Sequence, residues 1–246
     1  MINERGWDME SLIRLLLGVI LCMCAAVLIH TVVVTPEMAQ TSAGRFLGFV
    51  INTGCLHVGI LFVVHRFLKQ QSIGWSAGFG LNKNGWGRAI VRGMVIGLLI
   101  APLVMALQAG CHWLFTQAEV KAPRQEVVTT LVQTVQWDQR IYFGFIAIVI
   151  APVVEEIMFR GVMYPALKYR GYGAAAVWGS AIIFAMMHGN LLSLIPLTLL
   201  GLLLIALYEW SGNLLTPIFA HSTFNAVNFA LITFGQQWLK EIPGAS

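Results

Sequence analysis

Two adjacent carboxylates, Glu155 and Glu156, stand in the run IYFGFIAIVIAPVVEEI (Ile141–Ile157), which is otherwise apolar enough to cross a bilayer. An ionised carboxylate at the centre of a membrane helix costs about 2.5–3.5 kcal/mol even on the lenient insertion scale, so such groups face a partner or a wet cavity and mark function. Spacing separates the two. Glu156 precedes Arg160 by four residues, on one helix face and in the acid-first order that favours an ion pair, and reads as structural. Glu155 is turned about 100° away and is left without that partner. Phe159, one turn further on, would exclude water from it. Glu155 is the carboxylate free to serve as a general base.

A base needs something to exchange protons with, and His188 is placed for that. A tight turn near Arg170–Gly173 joins the span carrying the acids to the next one. Glu155 is 16 residues before Gly171 and His188 is 17 after it. In an antiparallel pair of helices rising about 1.5 Å per residue, the two fall at nearly the same depth. Phe184 lies one turn before His188. His221 and Asn225 are again four apart and share a face of the last span. Thr216 as N-cap and Pro217 in the first turn would start that helix. For His221 to reach the depth of Glu155, the segment Asn213–Thr216 is expected to be extended, which is tolerated only where it is buried in protein or lines a cavity. His30, His57, His65 and His112 have no acid at matching spacing and read as interfacial or packing residues.

These residues must be held by membrane helices. The chain has 246 residues, 58% of them hydrophobic and 11% charged, far below the roughly 25% charged residues of a soluble domain. Apolar stretches long enough for a hydrocarbon core of about 30 Å run near Leu12–Val34, Phe46–Phe67, Ala89–Phe115, Ile141–Leu167, Ala174–His188, Leu191–Tyr208 and Leu214–Phe234. The expected fold is an all-α, polytopic transmembrane helical bundle of about seven membrane helices, with room for an eighth, re-entrant or interfacial piece. One integral-membrane domain covers 1–246, with the reactive motifs inside 141–234. Pro102 and Pro152 are expected to kink the third and fourth spans. The first hydrophobic run is too long for a signal-peptide core and is read as retained.

Lysines and arginines set the orientation. With the N-terminus inside, the inner loops hold Arg5, Arg14, Arg66, Lys69, Lys83, Arg88, Arg92, Lys168 and Arg170, against Arg45, Lys121, Arg124, Arg140 and Lys240 outside. The count favours a cytoplasmic N-terminus and an outer C-terminus. Net charge of +4 therefore reads as topology and attraction to anionic lipid, not as a nucleic-acid surface. Trp75, Trp86, Trp113, Trp137, Trp178, Trp210 and Trp238 lie near span ends, at headgroup level. Cys22, Cys24, Cys55 and Cys111 lack metal-ligand spacing and read as small packed thiols. The loop 70–87 reads as a surface connection. In Ala118–Arg140, Val127, Val128, Leu131, Val132 and Val135 recur at helical spacing, which predicts an amphipathic helix in the outer interface, a structural cap in preference to a substrate-gating lid.

The three motifs resemble a known family. Glu155 to Arg160 matches EExxxR, Phe184 to His188 matches FxxxH, and His221 to Asn225 matches HxxxN, in that order on successive helices. The combination is similar to that of the CPBP intramembrane proteases, which process CAAX and bacteriocin precursors and are also called the Abi family. The likeness covers 141–234; the first three helices share only a vague similarity of spacing. It implies an intramembrane endopeptidase in which Glu155 and His188 activate water, His221 and Asn225 bind the oxyanion, and Glu156, Arg160, Phe159 and Phe184 support the site. It further implies a peptide or protein substrate with a membrane-associated segment, and, for a chain of this size, a prokaryotic cytoplasmic membrane.

Other readings stay open. Glu155, His188 and His221 could form a zinc site of two histidines and one carboxylate, although no HExxH is present. Asn225 suits an oxyanion better than zinc, so no cofactor is favoured and zinc is the alternative. A non-catalytic scaffold or bacteriocin-immunity protein would keep the same helices. A proton pathway or transporter is disfavoured by the lack of repeats or paired broken helices.

Overall fold

The computed structural model of the chain describes residues 6–81, 85–120, 126–133 and 136–241. Helices account for its architecture, and no strand occurs among the described residues. Two long helices, α1 (Met9–Val33) and α3 (Ser42–Gln70), flank the short α2 (Pro36–Gln40). Their starts are set by side chains that accept otherwise unpaired amide hydrogens: Asp8 from Ser11, Thr35 from Met38 and Thr41 from Gly44. The short α4 (Trp75–Phe79) and the long α5 (Trp86–Gln117) follow, then the amphipathic α6 (Glu126–Gln133). One continuous helix, α7, runs Trp137–Tyr169. The hairpin partner α8 (Gly173–Met186), a 3-10 turn (Leu191–Ser193), α9 (Leu194–Ser211) and α10 (Leu215–Glu241) complete the chain.

Among the described residues five helices are long and apolar enough to cross a membrane: Met9–Val33, Ser42–Gln70, Trp86–Gln117, Trp137–Tyr169 and Leu191–Ser211. Gly173–Met186 is a shorter apolar helix. With α10 they make the seven helices expected among the described residues. Lipid-facing side chains such as Leu21 and Val32, 68% and 81% exposed, are left outside because a bilayer solvates them.

Two apolar cores hold the bundle. One joins α1, α3, α4 and α7 through Leu15, Val64, Phe67, Phe79 and Val154. The other joins α5, α8, α9 and α10 through Val104, Phe184, Leu200, Leu204 and Phe224. The helix α10 lies deep between them and packs most extensively on α5. Glycine makes that approach close: a β-carbon on Gly93 would stand 2.5 Å from the Thr216 carbonyl oxygen, and one on Gly97 2.5 Å from that of Ala220. The pair is a small-xxx-small seam of the kind membrane helices use to bring backbones together.

Several local expectations are corrected. The loop 70–87 is more than a connection, because α4 places Phe79 fully in the core and its carbonyl accepts from the Leu214 amide at 3.3 Å; Asn82–Asn84 lie outside the described residues. Thr216 is not the N-cap of α10. Asn213 caps it, its side-chain oxygen accepting from the Leu215 amide at 2.9 Å, so the helix starts at Leu215 and the segment to Thr216 is not extended. The predicted amphipathic helix is shorter than Ala118–Arg140: α6 covers Glu126–Gln133, and the side chains of Val127 and Val135 lie outside the described residues. In α7 the helix continues through Pro152, which sits at the start of an α-helical stretch just after a π-helical turn, Ile146–Ile150. The widened turn absorbs the missing amide hydrogen and the ring.

Candidate active site

The site is assembled from α7, α8 and α10, with α9 behind it. A second π-helical turn, Ile157–Met163, follows Glu156 directly. Arg160 Nη1 still reaches Glu156 Oε1 at 2.9 Å, with both side chains no more than 1% exposed, as their spacing predicts. Burying such a pair is costly, and Arg160 Nε and Glu156 Oε2 are buried without a hydrogen-bond partner among the described residues, so the rest of the guanidinium must offset the cost. Arg160 Nη2 donates to the Gly201 carbonyl at 3.0 Å, and the guanidinium lies over the Phe184 ring at 4.6 Å, where the ring's negative face attracts it.

Phe184 is the hub of the site. Its fully buried ring meets Phe159, His188 and His221 in edge-on geometry, at centroid distances of 5.3, 5.0 and 5.7 Å. Phe159 therefore braces Phe184, and through it both histidines.

The two histidines present equivalent atoms to Glu155. His188 lies in the turn just beyond α8, two residues past its last helical residue, and its Nδ1 donates to the Phe184 carbonyl at 2.9 Å. A carbonyl can only accept, so the proton is on Nδ1. His221 Nδ1 lies 2.9 Å from Glu156 Oε1, and a carboxylate already paired with Arg160 likewise fixes the proton on Nδ1. Both Nε2 atoms then point at one oxygen: Glu155 Oε2 is 4.0 Å from that of His188 and 3.9 Å from that of His221. The Glu155 side chain is 28% exposed, yet Oε2 itself is buried and without a hydrogen-bond partner among the described residues. Depth-matching across the hairpin thus brings Glu155 and His188 together as expected.

Glu156 has a role that its spacing to Arg160 concealed. It is the pivot between Arg160 and His221, and that contact joins residues 65 apart on different helices, beyond the reach of any periodicity argument. Asn225 shares the α10 face of His221, but its Nδ2 donates to the Ala147 carbonyl at 2.8 Å, a group in the first π-helical turn. One amide hydrogen and the side-chain oxygen of Asn225 remain for other partners.

His188, His221 and Asn225 line one cavity of about 400 Å3 between α5, α10 and the 3-10 turn, roofed by Val128 and Leu131 of α6. His112, read from sequence as an interfacial residue, borders it. Of the other histidines, His57 Nδ1 lies 2.7 Å from the Thr53 carbonyl and His65 stacks on Trp75, as packing residues do.

The donor types of Glu155, His188 and His221 suit zinc, and their spacing does not. An oxygen and a nitrogen sharing a tetrahedral zinc stand about 3.4 Å apart, against 3.9 and 4.0 Å here. No group of three or more His, Cys, Asp or Glu side chains among the described residues is arranged to hold a metal ion.

Residues 137–227 match the family described as type II CAAX prenyl endopeptidase Rce1-like. Over 94 residues, 37% of the chain, it is 35% identical to "Uncharacterized protein YpbD" of Bacillus subtilis (strain 168), covering 45% of that protein. Over 77 residues, 31% of the chain, it is 32% identical to "Putative membrane peptidase YdiL" of the same organism, covering 32% of it. The chain thus spans less than half the length of the curated relatives it matches. No solved structure matches. The segment 137–227, over which the chain is similar to the Rce1-like family, contains every residue of the cluster around Glu155.

Proposed function

We propose that the chain is an intramembrane endopeptidase, hydrolysing a peptide bond with a water activated by Glu155 and His188 and without a metal. The observation that carries this is the convergence of two lone-pair-bearing Nε2 atoms on one buried carboxylate oxygen at 3.9–4.0 Å. That separation is too long for a direct hydrogen bond, and it suits a water held by two bonds of about 2.8 Å meeting near a right angle. The similarity to "Putative membrane peptidase YdiL" and to the Rce1-like family supports the peptidase part of this reading.

The water oxygen attacks the scissile carbonyl carbon while its proton passes to Glu155 Oε2, with His188 Nε2 holding the second hydrogen in line. Charge collects on the carbonyl oxygen, where Asn225 offers its spare amide hydrogen. His221 donates there only as the imidazolium, with Glu156 as counter-charge on Nδ1. Glu155 then returns the proton to the amide nitrogen, and the C–N bond breaks. By this account Glu155, His188, His221 and Asn225 act on the substrate, and Glu156, Arg160, Phe159 and Phe184 position them. The substrate is a peptide or protein with a segment in or at the membrane.

The test is cleavage of candidate membrane peptides by the purified protein and by Glu155→Gln and His188→Ala, read by mass spectrometry. Removing a general base lowers the rate about 10²–10⁴-fold. Undiminished cleavage by either variant would sink the mechanism, and loss of activity on adding a chelator would restore the metal alternative.

A further inference from the structure

The polar lining of the site does not stop at Asn225. On α10, Asn228 continues the face of His221 and Asn225. Across the cavity on α5, Gln108 and His112 are four apart on one face, and all three line the same space, which extends between α5 and α10 beyond the histidines. Amides at this depth are costly unless satisfied, yet both are only partly used. Asn228 Nδ2 donates back to the Phe224 carbonyl at 2.9 Å; its oxygen and second amide hydrogen are left over. Gln108 Nε2 makes one long contact, 3.5 Å to the Leu192 carbonyl, and its oxygen is left over. Both side chains are half-buried and face the cavity, not lipid.

A group that both donates and accepts, repeated on facing walls, complements a chain that does the same at every residue. That chain is a polypeptide backbone. From His221 to Asn228, α10 rises about 10 Å, the length of about three residues of extended chain at roughly 3.3 Å each. We infer that Gln108 and Asn228 bind the main chain of an extended peptide substrate, holding about three residues on the α6 side of the scissile bond. The inference rests on the active-site reading above for the identity of the substrate, and adds a track that presents its bond to Glu155. Apolar neighbours, Met105 and Leu131 among them, line the same space, so the residues on the track are small or apolar ones.

Main-chain recognition is tolerant of sequence, so the probe is a fluorescein-labelled decapeptide of alternating alanine and leucine, with an analogue in which alternate amides are replaced by esters. Affinities are read by anisotropy in detergent micelles on the Glu155→Gln background, which stops turnover. Replacing Asn228 or Gln108 by leucine should weaken the amide peptide roughly tenfold each and weaken the ester analogue, which keeps its carbonyls but lacks alternate N–H donors, by clearly less. Equal losses on both peptides, no loss on either, or no binding by the background protein would overturn the track. Cleavage of the same decapeptide by the Glu155 protein is scored separately. Track-dependent binding without cleavage would overturn the protease reading alone, and cleavage without dependence on Asn228 or Gln108 would overturn the track alone.

Discussion

Glu156 is the residue on which two functions of the site depend. It neutralises Arg160 and sets the tautomer of His221, through one oxygen, Oε1, that lies 2.9 Å from both partners. The two functions separate by mutation. Glu156→Leu leaves the Arg160 guanidinium buried without its counter-charge, a loss expected to destabilise the protein by about 3–5 kcal/mol. Adding Arg160→Leu removes the stranded charge, and apolar replacements of buried pairs are often neutral in stability. The single variant should therefore unfold at clearly lower temperature in detergent, and the double variant should recover most of that loss. Activity should stay low in both, because His221 Nδ1 has no acceptor in either. A double variant that regains cleavage along with stability would show that Glu156 serves the fold alone. The i,i+4 spacing of Glu156 and Arg160 was legible in the sequence because both lie on one helix. The contact with His221 was not, since it depends on how α7 and α10 cross.

That crossing is set by elements, and the glycine seam on α5 controls it. Gly93 and Gly97 let α5 approach the turn of α10 that carries Thr216, Ala220 and His221, with β-carbon positions 2.5 Å from backbone oxygens at both sites. Backbone cannot swing aside as a flexible side chain does, so Gly97→Ala must push α10 outward, at about 1–3 kcal/mol for overpacking. His221 is one residue beyond the contact and moves with it. Cleavage by Gly97→Ala should fall at least about tenfold, as misplacement of a reacting group near 1 Å allows. Gly110→Ala on the same helix is the control, since nothing lies within 4 Å of a β-carbon there, and it should match the parent. Normal activity in Gly97→Ala would mean that the seam does not position the site. The Gly-xxx-Gly spacing in the sequence marks a close helix contact, but it went unread there and does not say that the partner is α10. The hairpin of α7 and α8 was legible, because rise per residue alone fixes relative depth across a short turn. The π-helical turns and the Asn213 cap were not legible. A π turn is chosen where tertiary packing rewards one extra residue, here around Ala147 and Arg160, and Asn213 outcompetes Thr216 because its oxygen accepts from the amide two residues on, starting the helix earlier.

At the scale of the whole bundle, the remaining question is which side of the membrane the cavity meets. Polar anchors mark two opposite ends. At one, Arg92 lies over the Trp210 ring at 5.2 Å, Lys168 pairs with Glu209 at 2.8 Å, and Arg170 ties the hairpin turn to the Trp7 carbonyl at 3.0 Å. At the other, Trp137 stacks on Phe234 and Arg140 lies over the Trp137 ring. The first end carries the larger share of positive charge, which belongs on the cytoplasmic side. His112 is near the C-terminal end of α5, toward the second end, and is exposed beside the cavity. The site is therefore expected to open outward. In a variant with Cys22, Cys24, Cys55 and Cys111 replaced by alanine, a cysteine at His112 should react with a charged, membrane-impermeant maleimide in right-side-out vesicles. One at Lys69 should react only in inverted vesicles. The reverse pattern would invert the bundle and bring the substrate from the cytoplasm. Labelling of both positions in right-side-out vesicles would show leaky vesicles or mixed insertion, which a lumenal marker enzyme distinguishes. Because the polar track leads from His221 toward His112, this measurement also fixes the face from which a peptide would enter it.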